Sequence, residues 1–182
     1  MTNFSSKSYV LTLAAMSPMM MLSTAQAFET QEIGKLKANF GGEKIEQPTV
    51  RVKSGKDDSN TAFLFVQKVG VSSLSLAGYS LDNKRLWIDV SYMSMQPGPT
   101  TAPMNLTITY APAGDQGHWT SDEAPTPAKI TFTTFESKGK EGRAVGSFKA
   151  QLCYAKNLGA DADIKNCRPI EGSFDTKFFV EK

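Results

Sequence analysis

The feature that most restricts this chain is a two-residue alternation of apolar and polar side chains. Leu86, Ile88, Val90 and Tyr92 alternate with Trp87, Asp89, Ser91 and Met93, and Phe148, Ala150, Leu152 and Tyr154 with Ser147, Lys149, Gln151 and Cys153. Phe174, Thr176, Phe178 and Val180 make a third inner row. Successive side chains leave a strand on opposite faces, so each run offers one face to a core and one to solvent. Helical periodicity is nearly absent. Candidate strands cover residues 33–40, 49–53, 62–69, 73–77, 85–95, 105–110, 129–135, 144–154 and 170–180, with turn-forming residues such as Gly41-Gly42 and Gly139-Lys140-Glu141-Gly142 between them. Such a series predicts an all-β domain, a single antiparallel β-sandwich or a closed β-barrel of eight or nine strands.

Ahead of the first strand lies a segment of another kind. Lys7 precedes an apolar run over residues 10–22, and Ala25-Gln26-Ala27 supplies a small-x-small cleavage site, which together read as a signal peptide over residues 1–27. Residues 28–182 then form the single β domain, and the expected destination is the periplasm or the extracellular space. No apolar run reaches the ~18 residues of a spanning helix, so no transmembrane anchor is expected. The chain has 20 Lys+Arg against 18 Asp+Glu. Because Lys7 is the only charge in the leader, the balance of residues 28–182 is 19 against 18, which leaves no basic footprint for nucleic acid. Export to an oxidising space makes a Cys153–Cys167 disulfide the expected use of the two cysteines.

Gly146-Ser147-Phe148 recurs as Gly172-Ser173-Phe174. Each Gly is read as relieving crowding at a bend or bulge, and each Phe as filling the core beside it.

Catalytic signatures are missing. There is no Gly-x-Ser-x-Gly elbow, phosphate loop or His-Glu-x-x-His helix, and Asp89, Asp115 and Glu123 are not distinguished from solvated surface charges. The chain is therefore expected not to be an enzyme, and no cofactor is expected. Asp161-Ala162-Asp163 and Asp57-Asp58-Ser59-Asn60 carry oxygen ligands without the spacing of a calcium loop, and both are read as solvated turns.

Copper is the alternative. Met93, Met95, Met104 and His118 gather every thioether of residues 28–182 and the only imidazole within 26 residues, a donor set suited to Cu(I) or Ag(I). With Trp119 beside the His, these residue types resemble the ligand set of small periplasmic copper chaperones. Strand arithmetic opposes the site: if 85–95 and 105–110 form a hairpin, its two ends lie ~20 Å apart, with the methionines at one and His118 beyond the other.

The leading expectation is an exported, non-enzymatic binding module. The stretch from Ala111 to Ala128 reads as a long irregular loop, and such loops are enriched in recognition sites. His118, Trp119 and Asp115 belong to it, and Trp87 is expected at the same end of the fold. Trp119 reads equally as an exposed anchor for a partner and as a plug that folds back over the end of the fold. The partners this reading admits are another exported protein, a surface glycan or a small hydrophobic ligand held inside the fold.

Overall fold

The computed structural model describes residues 28–54, 57–114, 116–157 and 159–182. The expected signal peptide lies outside them. The described residues form an all-β fold of eleven strands: β1 (Phe28–Phe40), β2 (Glu43–Ser54), β3 (Asp57–Asn60), β4 (Ala62–Val66), β5 (Ser72–Ala77), β6 (Arg85–Tyr92), β7 (Asn105–Ala111), β8 (His118–Thr120), β9 (Lys129–Lys138), β10 (Glu141–Ala155) and β11 (Asp163–Glu181). All belong to one sheet, in the order β3-β2-β1-β11-β4-β5-β6-β7-β8-β10-β9.

A further pairing of β10 with β11 closes part of this sheet into a ring running β11-β4-β5-β6-β7-β8-β10 and back to β11. Closure removes sheet edges. β10 and β11 are long enough to serve two neighbours each. β10 carries β9 along residues 141–149 and β8 along 153–155. β11 carries β1 along residues 170–176 and β4 along 179–181. The β11–β4 contact is parallel and the other pairings are antiparallel. Its direction follows from the path of the chain: β1, β2 and β3 lie outside β11, and β4 re-enters the ring beside the far end of that strand.

The β1–β2 hairpin turns through Gly41-Gly42 alone. Both residues have positive φ, 56° and 97°, the geometry a two-residue turn of this twist requires and glycine adopts without strain. A side chain ties β2, outside the ring, to the start of β6 within it. Buried Gln47 donates from Nε2 to the Lys84 carbonyl and accepts at Oε1 from the Leu86 amide.

The alternation fills the interior as the sequence requires. Leu86, Ile88, Val90 and Tyr92 are fully buried, and Phe148, Leu152, Phe174 and Phe178 face the same core. Phe132, Phe135, Phe174 and Phe178 gather with Tyr92 near one end of β6. Phe40, Tyr110, Trp119 and Tyr154 gather near its other end. Burial pushes the Tyr110 phenol up to about 12, with the Glu43 carboxylate beside it adding to the shift. Burial also carries the Tyr92 phenol well above the ordinary tyrosine range.

The repeated Gly-Ser-Phe is a reciprocal lock between neighbouring strands. Gly146 stands opposite Phe174, and Phe148 stands opposite Gly172. A Cβ at Gly146 would lie 2.2 Å from the Thr131 carbonyl oxygen and 2.7 Å from the Phe174 ring. One at Gly172 would lie 2.2 Å from the Lys37 carbonyl oxygen and 2.5 Å from the Phe148 ring. Backbone cannot yield as a flexible side chain would, so Gly172→Ala is expected to cost ~1–3 kcal/mol as an overpacked core substitution. Denaturant melts of the variant beside wild type measure the loss, and an unchanged midpoint would contradict the close approach.

Candidate functional site

The long loop expected between Ala111 and Ala128 does not hold Trp119 out to solvent. His118–Thr120 is strand β8, with Trp119 in register with Tyr110 on one side and Tyr154 on the other. The inner face of the ring therefore receives the indole, which is 7% exposed. Its ring centroid lies 5.2 Å from that of Phe40 and 5.3 Å from that of Tyr154, and the Arg168 guanidinium sits 4.7 Å above it. The exposed-anchor expectation is corrected accordingly: in this conformation Trp119 is a plug. Three residues of strand are too few for periodicity to reveal, which is why the segment reads as a loop.

The other residues of that expected site are dispersed. His118 is half-buried at the end of β8, opposite Ala155. Trp87 does stand at the same end as β8, since it pairs with Thr109 and Thr109 with Thr120. Being one position out of phase with the inner row, however, it points to the outer face, with the Arg85 guanidinium 5.9 Å from its ring. The two tryptophans thus lie on opposite faces of one wall. Asp115 lies outside the described residues.

The copper ligands do not converge. β6 and β7 form the expected hairpin, with Arg85 opposite Ala111 at one end and Ser91 opposite Asn105 at the other. Met93, Met95 and Met104 follow or precede the Ser91 end, all three exposed. His118 belongs beyond the Ala111 end, about 20 Å away at the rise of a strand. The four-residue set is corrected to three thioethers at one rim and an imidazole at the other. Among the described residues there is no group of three His, Cys, Asp or Glu side chains able to hold a metal ion.

Asp57-Asp58-Ser59-Asn60 forms β3 and not a turn. Arg51 grips the Asp58 carboxylate through two nitrogens, which holds its pKa below the ordinary range. The two cysteines are bonded as Cys153–Cys167 across β10 and β11, where they stand in register.

A surface that sequence reasoning did not single out lies on the outer face of β9, β10, β11 and β1. Two adjoining hollows of 920 and 600 Å³ share Asn39, Lys129, Lys149 and Glu171. The Gly41-Gly42 turn walls the larger one on one side and Thr126-Pro127 on the other. Register builds the floor. Lys129, Lys149, Glu171 and Asn39 form one row across four strands, and Thr131, Ser147, Ser173 and Lys37 form the next. Lys37 has Glu46 3.6 Å away, whereas Lys129 and Lys149 have no ion-pair partner among the described residues. The outward rows are visible in the alternation of each strand. Their convergence is not, because neither the neighbours of β11 nor the sheet's curvature is written in a single strand.

Comparison with protein-family models, with curated proteins and with solved structures finds no match to this chain.

Proposed function

We propose that the chain is an exported, non-enzymatic binding module and that its recognition surface is the trough over β9, β10, β11 and β1. The observation that carries this reading is the pair of in-register rows, Lys129, Lys149, Glu171 and Asn39 in one and Thr131, Ser147, Ser173 and Lys37 in the other, lying side by side along a concave floor. Hydroxyl and amide groups at strand spacing match the hydroxyls of a sugar chain, and Lys129 and Lys149, without an ion-pair partner among the described residues, outweigh the single carboxylate of Glu171 in the floor and favour a chain that carries carboxylates. Of the three partner classes open from sequence, a surface glycan therefore fits best. A small hydrophobic ligand inside the ring would have to displace the packed side chains of Leu86, Ile88, Tyr92 and Phe178, all fully buried. Export rests on the leader, and the disulfide is in keeping with it.

Titration calorimetry with a hexameric uronic-acid oligosaccharide, against neutral maltohexaose, tests the reading. The acidic hexamer is expected to bind and to weaken as salt is raised, and Lys149→Glu is expected to cut its affinity about ten-fold or more, roughly 1.4 kcal/mol. No binding, equal binding of the neutral sugar, or an unaffected Lys149→Glu protein would overturn it.

A further inference from the structure

Among the described residues the sheet ends in two edge strands, β3 and β9, and they differ. β3 is four residues long and carries Asp57 and Asp58, the short charged form in which an edge is ordinarily protected. β9 is ten residues long, pairs with β10 on one side, and among the described residues has no strand on the other. From Ile130 to Phe135 it reads Ile-Thr-Phe-Thr-Thr-Phe, without a charge, a Pro or a Gly. An edge of that length and composition is a template for another strand.

Its register says which strand. When a regular strand pairs antiparallel with a copy of itself, opposed residues must share a face, so their numbers must both be odd or both even. β9 departs from this because it carries a bulge. Thr134 pairs with Val145 and Phe132 with Gly146, which leaves Thr133 as the extra residue and shifts the phase of everything after it. Lys129, Thr131, Thr134 and Glu136 consequently share the outer face, since they stand opposite Lys149, Ser147, Val145 and Arg143. Ile130, Phe132 and Phe135 share the inner face, opposite Phe148, Gly146 and Ala144.

About a two-fold axis placed between Phe132 and Thr133, Lys129 then meets Glu136 of the second copy, Ile130 meets Phe135 and Thr131 meets Thr134. Each pair is on a common face, and each is matched in kind: opposite charges, two apolar side chains, two hydroxyls. The bulge is what makes these three matches simultaneous.

We propose that two copies of this chain associate by antiparallel pairing of β9 with β9 about that axis. The partner is a second copy of the chain; Lys129 belongs both to this contact and to the floor of the trough, so the contact is tested with no sugar present.

Sedimentation velocity of the disulfide-bonded protein over a range of concentrations tests this. Wild type is expected to move from monomer to dimer as concentration rises. Lys129→Glu and Glu136→Lys each place like charges opposite one another twice per dimer, and each is expected to weaken association about ten-fold or more. The double variant Lys129→Glu/Glu136→Lys restores both opposite-charge pairs and is expected to dimerise as wild type does. Both side chains are exposed, so matching melting curves establish that the variants are folded. A wild type that stays monomeric, single variants that dimerise unchanged, or a double variant no better than the singles would overturn the proposal.

Discussion

Replacing Trp119 by Ala is expected to remove ~3–5 kcal/mol of stability, the range for truncating a large buried aromatic. For a domain of this size that lowers the melting temperature by roughly 10 °C. The indole holds β8 in the ring, because β8 has three residues and pairs on either side through only two or three of them. It is also the surface on which Phe40 and Tyr154 pack edge-on and over which Arg168 lies. Removing it leaves a cavity lined by Phe40, Tyr110 and Tyr154 and frees the seam between β7 and β10. Thermal and urea melts of Trp119→Ala beside wild type decide the matter. A midpoint within the scatter of surface variants, about 0.5 kcal/mol, would return Trp119 to the role of an exposed anchor.

The second large effect concerns the only covalent tie between strands. Converting both Cys153 and Cys167 to Ala is expected to cost ~3 kcal/mol, the denatured-state entropy released when a loop of this length is no longer closed. The separation is 14 residues. The loss should be concentrated locally. Cys153 is also the residue opposite Thr120, so the tie sits where β8 meets β10, and it fixes the start of β11 from which Arg168 reaches Trp119. Hydrogen exchange of the double variant is expected to show protection lost first in β8 and in residues 163–169 of β11, and later in the rest of the ring. Uniform loss across the ring, or an unchanged melting temperature, would show that the tie does not guard that seam.

What the sequence discloses about this fold is set by how local the information is. The inner row of β6, Leu86 to Tyr92, is fully buried as the alternation demands, because a strand carries its own period whatever its neighbours. The Gly-Ser-Phe echo was legible as crowding relief beside a core ring. That each glycine serves the phenylalanine of the other copy requires knowing that residues 146 and 174 are opposed. The alternation starts β11 at residue 170, whereas the structure starts it at Asp163, since the mostly exposed stretch before Ile170 has no apolar row to announce a strand. β8 was hidden because three residues hold no period. The trough and the β9 edge were hidden because both are properties of strand order. The copper set failed for the reason its own arithmetic gave: the hairpin formed, and its length kept the imidazole from the thioethers.

The place of β11 in the ring bears on the order in which the chain can acquire its structure. It is the last strand in sequence, and it borders β1, β4 and β10. Phe40 waits for Ile170, Gly34 for Thr176 and Phe63 for Phe179 before the ladder between them can form. During synthesis, local hairpins such as β1–β2 and β4–β5–β6 can form early, but the ring has no seam to close against until more than a hundred further residues have followed β4. Pairings so distant in sequence are bought with loop entropy before any contact repays it, which places folding in the millisecond-to-second range typical of all-β domains. A chain built this way keeps its ring open until β11 arrives.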